Sequence, residues 1–139
     1  MFGDTLIVVD TSVLSLAFRR KAIPAPEDAK VRTFRRLVSE SMQVVIPGIV
    51  LQELLSGVRT SDEFRRLRQI LDGFPVLLAT HGHHVTAARI TNACIQAGVV
   101  VSAVDCLIAA ITIENKARLL TSDRDFARMA PHCGLKLLD

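Results

Sequence analysis

The chain has 139 residues, of which 50% are hydrophobic and 22% are charged, and its formal net charge is +3. This composition is typical of one globular domain over residues 1–139 and excludes an intrinsically disordered chain. The apolar runs are far too short for a membrane span and the start lacks a basic n-region, so we expect a cytoplasmic protein without a membrane partner.

Short apolar runs alternate along the chain with segments of helical periodicity. In chain order, the predicted elements are a strand at 6–9, a helix at 12–19, a helix at 27–41, a strand at 44–46, a helix from 47 to about 58, a helix that starts at the capping box of Thr60 and Glu63, a strand at 76–79, a helix from about 84 to 96, a helix at 102–114, and strands at 119–120 and 135–138. Strands that alternate with helices indicate a parallel sheet covered on both faces. The sequence therefore predicts a three-layer α/β domain with five short strands.

Several motifs of known chemistry are absent from the sequence. It has no G-x-G-x-x-G after the first strand, no P-loop motif, no G-x-S-x-G and no H-E-x-x-H. His81, His83 and His84 form a cluster, but no cysteine or carboxylate stands beside it at the spacing of zinc ligands. We interpret this cluster as a solvated turn.

Four acidic residues lie at points that the predicted topology brings to one edge of the sheet. Asp10 follows the first strand and Asp123 follows the fourth, and open parallel sheets bind ligands beyond the carboxyl ends of their strands. The helix at 102–114 begins at the same edge with Asp105 in its first turn. Glu53 lies in the second turn of the helix that follows the second strand, which also begins at this edge.

Each acid also has a purely structural explanation. Asp10 can cap a helix, Asp105 can belong to a capping box, Glu53 can be a surface residue, and Asp123 or Asp125 can be turn residues. Four like charges at one edge would, however, repel one another and raise one another's pKa values. Carboxylate oxygens are the ligands that Mg²⁺ and Mn²⁺ prefer, so the four acids together predict a divalent-cation site.

Three segments carry these acids in order along the chain. They are LIVVDTSVL, IPGIVLQELLSG and AVDCLIAAITIENKARLLTSDRDF. Together they resemble the PIN domain, and specifically the VapC-type toxins of bacterial toxin–antitoxin pairs, over residues 6–138. The resemblance implies a five-stranded parallel sheet of order 3-2-1-4-5, in which the first and fourth strands are neighbours.

The resemblance also implies the roles of individual residues. By their place in the motifs, the family's four acids match Asp10, Glu53, Asp105 and Asp123. Asp125 is the alternative for the fourth acid, and Thr11 and Thr121 resemble hydroxyls that hold a water or an acid in such sites. Asp10 and Asp105 are then the expected direct ligands of Mg²⁺, with Mn²⁺ as a substitute. The other two acids are expected to act through bound waters.

The activity that the resemblance implies is Mg²⁺-dependent cleavage of RNA, with tRNA as one candidate substrate. The products would carry a 5′-phosphate and a free 3′-hydroxyl, and the implied partners are a cognate antitoxin and a second copy of the chain. Arginine-rich clusters are the candidates for RNA contact, each with a solvated helix face as its alternative. These clusters are Arg19, Arg20 and Lys21; Arg32, Arg35 and Arg36; and Arg65, Arg66 and Arg68.

Two other classes of function compete with a ribonuclease. One is a PIN-like module that binds RNA or protein without cutting, against which the four intact acids argue. The other is a phosphatase or signalling receiver on a similar sheet. A receiver would need an acceptor aspartate at the end of the third strand, where this chain has Ala79, Thr80 and His81.

Overall fold

The structure is a computed structural model that describes residues 5–18 and 28–139. The cluster of Arg19, Arg20 and Lys21 lies outside these ranges. In chain order, the elements are β1 (Ile7–Val9), α1 (Thr11–Phe18), α2 (Ala29–Ser39), β2 (Val44–Pro47), α3 (Gly48–Leu55), α4 (Ser61–Leu71), β3 (Val76–Leu77), α5 (His81–Gln96), α6 (Ala103–Glu114), β4 (Arg118–Leu120), α7 (Arg124–Met129) and a short 3-10 helix (Ala130–His132). Most of the predicted elements are present, with ends that differ by a few residues.

Four strands form one parallel sheet in the order β3-β2-β1-β4. Val8 at the centre of β1 pairs with Val45 on one side and with Leu119 on the other. The predicted order is therefore correct for these four strands, and the predicted α/β class is confirmed. All three residues of β1 are fully buried, as expected for the central strand of a covered sheet.

The prediction of a fifth strand at 135–138 is wrong, because this segment forms only an isolated parallel bridge between Leu119 and Leu137. The reason is the length of β4. Arg118 and Leu120 use their backbone groups toward β1, which leaves only the middle residue pointing outward. That residue, Leu119, makes two backbone hydrogen bonds, one from its N–H to Lys136 O and one from Leu138 N–H to its carbonyl.

The prediction that the histidine cluster forms a solvated turn is also wrong. His81 begins α5, and Thr80 caps this helix by accepting a hydrogen bond from the backbone N–H of His83. The ring nitrogen Nδ1 of His83 in turn accepts from the N–H of Thr80 at 3.0 Å, so the side chain is buried in a capping box. The segment is a helix start, not a solvated turn, because an imidazole here replaces the usual Glu or Gln.

Helix α6 forms the centre of the core and also carries an acid of the predicted site. As the sequence predicted, it is apolar on nearly all sides, and its buried residues are Cys106, Ile108, Ala109, Ala110, Ile111 and Thr112. Its first turn begins beyond Ser102, which accepts a hydrogen bond from the N–H of Asp105 at 3.1 Å. Of the helices in the part of the chain that the structure describes, none combines the length and the apolar character needed to cross a bilayer.

Candidate active site

Asp10 is the buried acid of the site, with only 2% of its surface exposed. Its Oδ1 accepts hydrogen bonds from the Ser12 hydroxyl at 2.7 Å and from the Val13 N–H at 3.3 Å, and its Oδ2 accepts from the Thr121 hydroxyl at 2.5 Å. Burial raises the pKa of Asp10 more than these bonds lower it, and the nearby charge of Asp123 raises it further. Asp10 therefore both caps α1 and joins β1 to the segment after β4.

The segment after β4 is folded against the same hydroxyl groups. Val9 of β1 pairs with Leu120, so the residues that follow these two strands emerge side by side. The Thr121 hydroxyl accepts from the N–H of Asp123 at 3.0 Å, and Asp123 Oδ1 accepts from the N–H of Asp125 at 2.9 Å to start α7. These bonds fix the direction in which the two aspartates leave the sheet.

Asp105, Asp123 and Asp125 come together at this edge. One carboxylate oxygen from each lies within 4.8 Å of the others, and all three side chains are half-buried. Asp125 also accepts a hydrogen bond from Arg128 at 2.7 Å. The two alternatives for the fourth acid, Asp123 and Asp125, thus both stand beside Asp105.

The pKa of Asp105 reflects this crowding. It is raised from 3.8 to about 6, mainly by burial, against which the bond to Ser102 acts. The charges of Asp123, Asp125 and Asp10 raise it further. The folded protein therefore opposes the ionised form of Asp105, first through burial and then through the neighbouring carboxylates.

Glu53 lies outside this cluster of three carboxylates but is joined to the site through α1. Its carboxylate is exposed, and Oε1 accepts a hydrogen bond from the Thr11 hydroxyl at 2.8 Å. Thr11 and Ser12 are adjacent at the start of α1, and their hydroxyls donate to Glu53 and to Asp10, respectively. Neither Asp10 nor Glu53 is among the three carboxylates that lie within 4.8 Å of one another.

A cleft of about 770 Å³ borders Glu53 and Thr11. Helices α1, α3 and α4 form its walls together with the segment between α3 and α4. The walls are apolar at Leu14, Phe18, Leu54, Val58 and Leu67 and charged at Arg59 and Glu63. The cleft thus joins an apolar surface to one acid of the predicted site.

The donor set fits a hard divalent cation. Carboxylate oxygens suit Mg²⁺ or Mn²⁺, and such a cation would favour the ionised form of Asp105, which burial and the neighbouring carboxylates oppose. Asp105, Asp123 and Asp125 bring three carboxylates together at the edge of the sheet where the buried Asp10 also lies. Within residues 5–18 and 28–139, no group of three or more possible ligands contains a histidine or cysteine, which gives no support to zinc.

Two residues near the site were missed by reasoning from the sequence. Ser12 donates to Asp10 and accepts from the N–H of Ser122 at 2.9 Å. Asp28, the N-cap of α2, lies 3.4 Å from the Ser122 hydroxyl. Ser12 stands two positions after the first acid, which is a sequence signal for a side chain that turns back on Asp10. Asp28 contacts Ser122, which is 94 positions away in the chain, so no local pattern in the sequence indicates this contact.

The chain is similar to known proteins in both its sequence and its fold. A PIN domain family model matches residues 7–131. The Ribonuclease VapC11 of Mycobacterium tuberculosis and a VapC ribonuclease of Mycobacterium bovis are each 31% identical over 123 residues, which cover 87% of this chain and 89% of theirs.

Two solved structures show the same fold. VapBC2 from Rickettsia felis bound to a DNA fragment from their promoter has a chain with a TM-score of 0.77 and 19% identity, covering 96% of this chain and 98% of that one. FitAcB from Neisseria gonorrhoeae gives 0.75 and 21%, covering 96% and 97%. The family model and the sequence relatives span most of the chain and agree with this fold. The chain therefore belongs to the PIN domain family, in its VapC-type ribonuclease group.

Proposed function

We propose that this chain is a Mg²⁺-dependent endoribonuclease toxin that hydrolyses RNA phosphodiester bonds and is inhibited by a cognate antitoxin. The observation that carries the proposal is the convergence of Asp105, Asp123 and Asp125 at the edge of the sheet where the buried Asp10 lies. Membership among the VapC-type ribonucleases supports RNA as the substrate.

The acids divide into two groups in this proposal. Asp105 and Asp10 are assigned as direct ligands, with Asp123 and Asp125 completing the negative charge around the cation. Asp10 Oδ2 accepts one hydrogen bond and keeps a lone pair for this purpose. A bound Mg²⁺ supplies a lowered pKa for a coordinated water and neutralises charge on the phosphate. Glu53, oriented by Thr11, is assigned to orient the attacking water.

The test is cleavage of a panel of structured RNAs, including tRNA, with Mg²⁺, with Mn²⁺ and with EDTA. We expect wild type to cut with metal and not with chelator, and Asp10→Asn to lose nearly all cleavage because it removes a carboxylate charge at the site. The matched control is Asp62→Asn, which changes an acid on α4 whose side chain is 94% exposed.

Two outcomes would contradict the proposal. Cleavage by Asp10→Asn at the wild-type rate would show that the assigned acids do not form the active site. A folded wild type that binds RNA but cuts none of the panel with either metal would favour the PIN-like binding module.

An antitoxin and a second copy of the chain are the proposed protein partners. An inhibitor must deny RNA access to the acids, and the cleft beside Glu53 offers apolar and charged surface next to them. Large apolar side chains also remain exposed elsewhere, with Leu78 at 75%, Ile95 at 65% and Val100 at 91%. Sedimentation equilibrium of the purified chain tests the homodimer. Inhibition of RNA cleavage by the product of any small gene that adjoins its own tests the antitoxin.

A further inference from the structure

Two hydroxyl groups join the carboxylate of Asp10 to consecutive backbone N–H groups of the segment after β4. Ser12 Oγ lies 2.7 Å from Asp10 Oδ1 and 2.9 Å from the N–H of Ser122. Thr121 Oγ1 lies 2.5 Å from Asp10 Oδ2 and 3.0 Å from the N–H of Asp123. Each oxygen of one carboxylate is thus connected, through one hydroxyl, to one amide.

When Asp10 is ionised, as a ligand of a cation must be, counting protons fixes the direction of every bond in this arrangement. A hydroxyl has one proton to donate, and an ionised carboxylate can only accept. Ser12 and Thr121 must therefore each give their proton to Asp10, and each accepts the amide N–H with a lone pair. The two hydroxyl oxygens lie 3.4 Å apart but have no proton left to share with each other. Each bridge consequently has its own hydroxyl, its own oxygen of Asp10 and its own backbone N–H.

The two bridges determine where the remaining acids lie. Ser122 and Asp123 are the residues through which the chain passes from β4 to α7, and Asp123 then caps α7 through the N–H of Asp125. A shift at Ser122 would carry both aspartates away from Asp105. Thr121 is already implied by the family resemblance, whereas the bridge through Ser12 is a separate connection.

We propose that Ser12 is a positioning residue of the metal site, which holds Asp123 and Asp125 against Asp105 by tying Ser122 to Asp10. This inference rests on the proposed function, because it assigns Ser12 a role toward the cation of that site. Groups that orient metal ligands typically contribute about 10- to 100-fold to metal affinity. We therefore expect Ser12→Ala to weaken Mn²⁺ binding by about tenfold.

The experiment compares Mn²⁺ affinity by calorimetry with the amide NMR signals of the metal-free protein. Ser12→Ala should shift the Ser122 amide signal and weaken Mn²⁺ binding. Ser12→Thr keeps the hydroxyl and should restore both. The matched control is Ser39→Ala, which removes a hydroxyl that donates to its own helix at Arg36 O. In RNA cleavage, the loss in Ser12→Ala should appear in kcat at limiting metal, with KM for RNA unchanged.

The outcomes separate this inference from the proposed function. Wild-type Mn²⁺ affinity in a folded Ser12→Ala variant would overturn the role of Ser12, whatever the nuclease activity. If wild type cuts no RNA, the proposed function fails, while the calorimetry and the amide signals still decide the inference. Should Ser12→Ala fail to fold, Ser12→Cys carries the same test, because its thiol is a much weaker donor of similar size.

Discussion

Asp105 combines two environments that both oppose its charge. It is half-buried at the start of α6, and it faces the carboxylates of Asp123 and Asp125. Its pKa of about 6 in the folded protein exceeds the ordinary 3.8. The folded state therefore binds this proton more tightly than the unfolded chain does. The contribution of Asp105 to stability is full below pH 4 and is lost as the pH rises through about 6.

We predict that Asp105→Asn stabilises the metal-free protein, relative to wild type, increasingly as the pH rises from about 4 to about 7. The neutral amide removes a charge that wild type must carry at the higher pH. Urea midpoints measured in EDTA at several pH values in this window check it, with Asp62→Asn as the exposed control. A difference between the two proteins that stays constant with pH would contradict the assignment.

Thr121 is the second residue whose loss should be measurable without RNA. Only 8% of it is exposed, and its hydroxyl serves both Asp10 and the N–H of Asp123. Thr121→Val keeps the shape and leaves both groups without that partner, which should cost about 1–3 kcal/mol of unfolding free energy. Thr112→Val is the matched control, because that hydroxyl donates within its own helix to Ile108 O. Equal losses in the two variants in urea unfolding would refute the special role of Thr121.

Among the structural elements, helix α6 contributes both to the core and to the site, because it carries buried apolar residues and Asp105 in its first turn. Ile108 lies one turn after Asp105 and is 2% exposed. Because the helix is buried on nearly all sides, few movements can fill a cavity made within it. The stability of this helix and the position of its acid are therefore coupled.

Ile108→Ala should lower the unfolding free energy by about 2–5 kcal/mol. Ile95→Ala on α5, where the side chain is 65% exposed, should cost far less and is the control. Thermal or chemical unfolding of both variants gives the comparison. A loss at Ile108 as small as that at Ile95 would mean that α6 can repack around the cavity.

The elements also show how far the sequence could predict this molecule. The apolar run of α6 is a local signal, and the sequence predicts this helix correctly. The sequence predicts the start of α5 at about residue 84, whereas the helix begins at His81. The difference arises because the imidazole of His83 takes a capping role that sequence rules give to Glu or Gln. The prediction of a fifth strand at 135–138 is wrong because the pairing of this segment depends on the length of the neighbouring strand, β4. The acids could be placed at one edge from topology, but the hydroxyl bridges to Asp10 depend on side-chain geometry that no local pattern encodes.

At the scale of the whole molecule, the two described basic clusters differ in the contacts that the structure shows for their helices. On α4, Arg65, Arg66 and Arg68 each pair with an acid of the same helix or its cap, and Arg66 also donates to Phe18 O at 2.9 Å. Helix α2 begins beside the site, because its N-cap Asp28 accepts a hydrogen bond from the Ser122 hydroxyl at 3.4 Å. Helix α2 is therefore the better candidate for RNA contact.

The double variant Arg32→Gln and Arg36→Gln should weaken RNA binding and reduce the slope of log affinity against log salt by about 0.7 for each phosphate that the variant no longer neutralises. Arg65→Gln with Arg68→Gln is the matched control on α4. Filter binding or fluorescence anisotropy over a salt series measures both slopes, with Ca²⁺ in place of Mg²⁺ to limit cleavage. A larger effect in the α4 variant would reverse the assignment.

The bond between Thr121 and Asp10 joins residues 111 positions apart in the chain. A growing polypeptide on the ribosome has Asp10 long before it has Thr121, Ser122 or Asp123. No truncated product that ends before β4 can complete this arrangement. Under the proposed function, the order of synthesis therefore delays RNA cleavage until the segment after β4 has been made and has folded against Asp10.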